Sequence, residues 1–576
     1  MHRPIGHACA DTIVSGRANS RLRTALRTRV ICVAVVCAAT LDRPALAQHA
    51  LTTLPVSDAA YLQLQALDRV GCHPARVSPH RPFVVRDVVR AIARFAGNPR
   101  CGGPIATALA ERFVVDRTPD VPRDIAPDLA AAVREAAADS LDAFRFGALA
   151  TLQGTALARG EFEPFWAGVR PREEGTPPVV AEGRVRAAWS SSPRFVAVGE
   201  VYAQTSRRND PTVRQRALRN TSGIVDFGET YINAALGRLD LSFGRGWAAW
   251  LGEGRESLAL SANGPLMDRL ELGVRWRVAE TRAFVGTVND VTMTAAADSL
   301  VEGTPDTRFR RWLYGHVLTI RPNERLELTI GETLLSSRTT RGFDLAYANP
   351  LMAFIIAQND TARAGADPRD NLVVFGGVRA KVGVGAIGGE LVVDDIQIDA
   401  ADRSRTADQL AWRLFAHAPI PVGTASSATL EYERTDSYAY LRDFYTDVYQ
   451  SYDKPLGSAL GPDADYLRAS AETWLDGRTR LSGSIGRWRQ GALRIDQRPA
   501  DGPNDNAEQP YPSTSADRPE VQRAFIASVR ADRLMQRLPV SLQVQLARIE
   551  NAANVSAAAA LYVRASLTAS YAFRYP

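Results

Sequence analysis

The closing stretch LYVRASLTASYAFRYP, Leu561–Pro576, decides the fold. Val563, Ala565, Leu567, Ala569, Tyr571, Phe573 and Tyr575 fall on one side of an extended chain. Arg564, Ser566, Thr568, Ser570, Ala572 and Arg574 fall on the other, because successive side chains of a strand alternate. A last strand with one apolar face, finishing in aromatics, is what the machinery that assembles outer-membrane barrels is expected to read. Ending in Pro576 instead of the aromatic departs from that pattern.

The same period of two runs upstream. Val540, Leu542, Val544 and Leu546 alternate with Ser541, Gln543, Gln545 and Ala547. Leu326, Leu328 and Ile330 alternate with Arg325, Glu327 and Thr329. Leu270, Leu272, Val274, Trp276 and Val278 alternate with Glu271, Gly273, Arg275 and Arg277. Turn-rich segments such as Arg321-Pro322-Asn323-Glu324 separate such runs. Alternation alone also fits a soluble sandwich or a propeller. The β region, 144–576, shows no blade-length repeat, which argues against a propeller. Its polar faces carry Arg and Glu beside small residues, as a wet, ion-paired lumen allows. The expected fold is all-β: a large antiparallel transmembrane β-barrel of roughly sixteen to twenty strands, at ~24 residues per strand and turn.

The start of the chain reads as a secretory leader, residues 1–47. Arg21 to Arg29 form a cationic segment, Val30 to Ala39 an apolar one, and Ala45-Leu46-Ala47 a cleavage site before Gln48. The apolar run is too short to span a bilayer as a helix. Seven arginines and two aspartates precede residue 48, so the net charge of +6 falls to +1 beyond it. That removes the charge argument for a nucleic-acid partner.

Between the leader and the β region, 48–143 carries a helical period and is expected to be a small periplasmic region. Tyr61, Leu64, Leu67 and Val70 recur every three residues behind Ser57 and Asp58, which can cap a helix. Val85, Val88, Val89, Ile92 and Phe95 follow the i, i+3, i+4 rule, and Gly97-Asn98-Pro99 stops them. A further helix is expected over 127–143. Cys72 and Cys101 are the two cysteines beyond the leader, and in an oxidising compartment they most simply form a disulfide. A metal site from Cys72, His73, His80 and Cys101 is the sharper alternative, but its spacing matches no zinc pattern.

Four stretches carry a resemblance. Trp247-Ala248-Ala249-Trp250-Leu251-Gly252 leads to Glu256-Ser257-Leu258-Ala259-Leu260-Ser261-Ala262-Asn263. Tyr347-Ala348-Asn349-Pro350-Leu351 is the second and Gly389-Glu390-Leu391-Val392-Val393-Asp394-Asp395 the third. Tyr452 to Asp463, YDKPLGSALGPD, is the fourth. In this order they resemble the Wzi-type capsule-assembly family. The resemblance implies an outer-membrane protein, without cofactor or enzymatic activity, whose partners are capsular or exopolysaccharide, outer-membrane lipid and the barrel-assembly machinery. A monomer with no nucleic-acid partner is expected. A porin-like or saccharide-selective channel is the alternative, and an outer-membrane hydrolase a third.

Sugar rings stack their C–H faces on aromatics and need planar hydrogen-bond partners at their rims, while arginine matches the carboxylates of an acidic polymer. The carbohydrate-binding candidates are therefore Arg245, Trp247, Trp250, Asn263, Tyr347, Asn349 and Asp463. Arg245, Trp247 and Trp250 form either a stacking platform or, as the preferred expectation, part of a lipid-facing aromatic girdle. Asn263 and Asn349 precede Gly264 and Pro350 and are more often turn formers. Glu390, Asp394 and Asp395 are expected to be lumen charges paired with arginine sooner than a cation site. The Tyr452–Asp463 loop is either an extracellular binding loop or a structural turn. No H-E-x-x-H, P-loop or G-x-S-x-G motif occurs. His316 and His417 lie in strand-like segments, where a lone histidine is usually a packing or lumen residue.

Overall fold

Alternation becomes pairing from Ala143 onward. The computed structural model describes 51–113 except 56–57, 73–75, 96–100 and 102. It describes 143–575 except the longer strand connections, among them 206–223, 252–256, 294–306, 359–369, 396–408 and 496–510, and some shorter pieces. Within 143–180 it describes the backbone of 143–159, 162–163, 170–171 and 179–180. The expected leader, its cleavage site at Ala47 and Gln48, and the helix expected over 127–143 lie outside the described residues, except for Ala143, which opens a strand.

The strands form a ring of antiparallel staves. They are β1 (Ala143–Arg159), β2 (Val179–Ser192), β3 (Phe195–Gln204), β4 (Ile224–Phe227 continuing as Thr230–Leu236), β5 (Leu239–Gly246) and β6 (Met267–Arg275). Next come β7 (Ala279–Thr287 continuing as Val291–Met293), β8 (Thr307–Asn323), β9 (Leu326–Arg338), β10 (Asp370–Val382), β11 (Gly385–Asp395) and β12 (Gln409–Pro419). The ring continues with β13 (Ala425–Thr435), β14 (Ala464–Trp474), β15 (Thr479–Gln490), β16 (Gln522–Arg533), β17 (Val540–Glu550) and β18 (Ala559–Tyr575). Each stave pairs with the next, and β1 pairs with both β2 and β18, Phe146 lying opposite Tyr575. Among the described residues every strand of the ring pairs on both sides, which satisfies the ladder groups without water as a barrel in lipid requires.

Long and short connections alternate around the ring. Leu236–Leu239, Asn323–Leu326 and Val382–Gly385 are tight turns at one end, while the chain leaves and re-enters the wall for its long connections, after β5, β9, β13 and β15, at the other. The alternating faces also separate as expected. Ile330 is 60 % exposed and Leu414 57 %, whereas Thr329 and Arg413 beside them are buried inside the ring. The outer face is thus an apolar band and the inner face a polar lattice. One expected strand is shorter than its period. Trp276 donates its backbone N–H to Ala279 O at 2.8 Å, so Trp276 and Val278 belong to the turn that follows β6.

The helices pack inside the ring at its short-turn end. They are α1 (Ala59–Arg69), α2 (Val85–Phe95) and α3 (Pro104–Phe113). Asp58 caps α1 by accepting the Ala60 N–H at 2.8 Å. Val85, Val88, Val89 and Ile92 bury one face of α2 against α1, α3 and the Cys72–Cys101 disulfide. Each such side chain contributes roughly 1.5–3 kcal/mol of burial. The disulfide consumes both thiols, which removes the metal alternative. The polar faces of the helices meet the inner wall: Asp68 binds Arg379 at 2.7 Å, Arg86 binds Asp240 at 2.9 Å, and Gln63 donates to Gly477 O at 2.9 Å. The helical region and the strands form one unit, and the region is a plug rather than a body beside the barrel. α3 went unread in the sequence, although Pro104 at its first position and Ile105, Leu109 and Phe113 on its buried face carry the signal.

Candidate functional site

Two long connections fill the lumen above the helices. Beyond Gly246 the chain leaves the wall and turns inward. Trp250 is fully buried, its indole 4.9 Å from the Phe284 ring, with Phe375 at 6.3 Å. Gly315 on β8 admits it: a Cβ there would stand 2.9 Å from the indole. Trp247 is also buried and packs edge-on against Tyr61 of α1 at 5.7 Å. Arg81 and Ala249 exchange backbone hydrogen bonds of 2.8 and 3.1 Å, fastening this connection to the helical plug.

The connection 436–463 descends beside it. Ser261 donates its N–H to Leu456 O at 2.7 Å, which joins the two. The stacked rings of Tyr440 and Tyr449 reach across, donating to Leu258 O at 2.7 Å and Ala259 O at 2.9 Å. The wall holds both connections. Arg311 donates to Val448 O at 2.7 Å and Gln450 O at 2.9 Å. Glu390 accepts the Leu258 N–H at 3.3 Å and is paired with Arg413. Asp394 accepts the Tyr440 N–H at 2.8 Å. The first, third and fourth family-like stretches therefore meet in one network inside the lumen.

This corrects the girdle and platform readings of Arg245, Trp247 and Trp250, while Glu390 and Asp394 stand as expected. Trp247 and Trp250 are neither a lipid-facing girdle nor an open platform; they are the apolar centre of the inner packing. Arg245 does not join them, since its Nε and Nη2 bind Asp268 at 2.7 and 2.9 Å. The Tyr452–Asp463 segment is largely buried and structural. Glu390 and Asp394 are lumen charges with arginine partners, and no group of metal-ligating residues occurs among the described residues. Asn263 is buried in the inward connection.

Asp463 sits in a left-handed backbone at φ 59°, fully buried. Its carboxyl accepts the N–H groups of Ser513 at 2.8 Å and Leu493 at 3.1 Å, tying 436–463 to the connection after β15. Burial pushes its pKa up to about 6, against the pull of those donors. His80, in the helical plug, is held neutral by burial, its pKa drawn down to about 4, and bonds Thr319 at 2.8 Å.

The second family-like stretch lies elsewhere. Residues 343–358, with the short helix α4 (Phe354–Gln358), lie against the outer face of β8–β10. Tyr347 is buried there and donates to Asp370 at 2.8 Å. Asn349 is exposed and accepts the Leu351 N–H at 3.1 Å, the turn-forming role. His316 is also on this outer face, 4.4 Å from the Phe354 ring and 3.8 Å from Glu332, so it is no lumen residue. The candidates thus divide among inner packing, rim and outer wall. A small cavity is lined by Trp247, Ser261, Asn289, Ser451 and Tyr452. Asn289 accepts the Tyr452 N–H at 3.0 Å and an Arg311 N–H at 3.2 Å, so the cavity lining is fixed by the same arginine that holds the inner connection.

A family model described as capsule assembly protein Wzi matches residues 178–560. The solved structure of Wzi from Escherichia coli is described as an outer membrane protein involved in group 1 capsule assembly and a carbohydrate-binding β-barrel. It is similar with a TM-score of 0.54 at 13 % identity, over 91 % of this chain and 100 % of that one. OccD3 from Pseudomonas aeruginosa gives a TM-score of 0.43 at 10 % identity, over 76 % of this chain and 92 % of its own. OccAB4 from Acinetobacter baumannii gives 0.44 at 9 %, over 76 % and 98 %. No curated protein matches the sequence.

Proposed function

The chain belongs to the capsule assembly protein Wzi family, and on that premise we propose that it is an outer-membrane surface protein that binds and anchors capsular or exopolysaccharide. The observation that carries this is the filled lumen. Helices α1–α3 occupy the short-turn end and the 247–266 and 436–463 connections occupy the middle, each bonded to the wall. A barrel packed in this way offers a rigid outer surface in place of a conduit. By the general rule for such barrels the short turns face the periplasm and the long connections face outward. The polymer is then met by the outward rim that the long connections form. The role is binding, not bond-breaking.

Deleting the gene in the native host tests this. Cell-bound polymer is expected to fall while polymer in the medium rises and total synthesis is kept. Unchanged cell-bound polymer would overturn it.

A further inference from the structure

The outer face of β14–β17 carries a feature that neither the inner plug nor the polymer rim uses. Register places its outward side chains in level rows. One row is Ala471, Gly483, Val529 and Val544, and the next is Ala469, Ile485, Ala527 and Leu546. Above these, toward the long connections, comes Leu467, Arg487, Phe525 and Arg548, then Asp465, Arg489, Arg523 and Glu550. The apolar band therefore gives way to arginine within one step of the pleat.

The two apolar rows are not flat. Alanine and glycine at four of their eight positions leave a groove of about 530 Å³ between the taller Ile485, Val529 and Leu546. Its lining is overwhelmingly apolar, so its occupant is hydrocarbon.

The arginines define the other end of that occupant. Arg487 and Arg548 flank Phe525 directly, about 10 Å apart across two strand spacings, and Arg523 stands two residues, about 7 Å, above Phe525. Arg487 and Arg523 are exposed and have no ion-pair partner among the described residues. Arg548 is 76 % exposed on its side chain, and Glu550 reaches it only at 3.8 Å. Asp465, the other carboxylate of the top row, is already held by Arg489. Positive charge thus exceeds negative at this spot. Guanidinium groups present a planar fork that matches phosphate oxygens, and long side chains on adjacent strands can converge on one group.

We propose that this wall holds one phosphorylated, acylated lipid of the outer leaflet, its acyl chains in the Ala469–Ala527 groove and its phosphate among Arg487, Arg523 and Arg548. The site relies on the membrane placement of the wall but not on polymer binding. It sits on the outside of the ring, remote from the inner connections.

The test is native mass spectrometry of the full chain in detergent with diphosphorylated lipid A as probe. Wild type is expected to retain one lipid. The R487Q/R523Q/R548Q variant, and Ala527→Trp in the groove, should each retain it about tenfold less. Dephosphorylated lipid A on wild type should fall to the level of the arginine variant. Arg310→Gln, an exposed arginine on β8 across the ring, should change nothing. Folding of each variant is checked by its heat-modifiable mobility, and the single Arg548→Gln, with a smaller loss, replaces the triple variant if that one fails to fold. Equal retention by the variants, or retention indifferent to phosphate, would overturn the proposal. Neither result bears on whether cells lose polymer.

Discussion

Arg379 on β10 donates to the Asp68 carboxylate on α1 at 2.7 Å, with both side chains only 5 % exposed. This contact ties the helical plug to the barrel wall. Arg76 adds a second charge 3.6 Å from the same carboxylate. Removing one partner of such a buried pair typically costs ~3–5 kcal/mol, because the other charge stays buried. Asp68→Asn should therefore lower the thermal unfolding temperature clearly. The D68N/R379Q double variant should be less destabilised than the two single effects added together. Additive losses in a double-mutant cycle would show that the contact does not couple plug and wall.

Arg311 offers a second handle on the closure. It donates to Val448 O and Gln450 O, and its loss would release two carbonyls of the inner connection. Hydrogen bonds from a charged group are each worth ~1.5–3 kcal/mol. Arg311→Gln should keep the barrel folded while speeding amide exchange in 445–456. Exchange there as slow as in wild type would assign the anchoring elsewhere.

Asp463 predicts a pH effect of unusual sign. Its folded pKa is raised from 3.8 to about 6 by burial, so the neutral form suits the fold. The stabilisation it lends is complete below the unfolded value and is lost as pH rises through about 6. Protection of 436–463 and of the segment around Ser513 should increase on going from pH 7.5 to pH 5. Asp463→Asn should flatten that response. A wild-type response of the opposite sign, measured by hydrogen exchange, would contradict the account.

The 343–358 segment predicts contact with lipid. Leu351 is 93 % exposed, Leu345 77 % and Ile356 66 %, on the outer wall where water-facing leucine has no compensation. A dye on Leu351→Cys should be quenched by spin-labelled lipids in proteoliposomes. Quenching no stronger than that of a label on a short turn would place this segment in water.

The barrel was legible in the sequence because its wall obeys a strict period. Leu326, Leu328 and Ile330, and Val540 to Leu546, have the side of the strand that alternation assigned them. The α1 cap at Asp58 and the Cys72–Cys101 pair were legible for equally local reasons. The fate of Trp247 and Trp250 was not, because an aromatic that faces lipid and one that fills a lumen look alike once the period stops at Gly246. Nor was the division of the four family-like stretches between lumen and outer wall. That depends on which way a long connection folds over the rim, which the packing of Tyr440, Tyr449 and Phe354 decides. The arginine patch needs three strands in register before Arg487 and Arg548 come to flank Phe525, and a single chain does not display register.

The central claim is that the ring is sealed and works through its outer surface. Conductance of the purified full chain in planar bilayers tests it most directly. The filled lumen predicts no stepwise current above the bare bilayer in wild type. Steady unitary openings of porin size in wild type would contradict it.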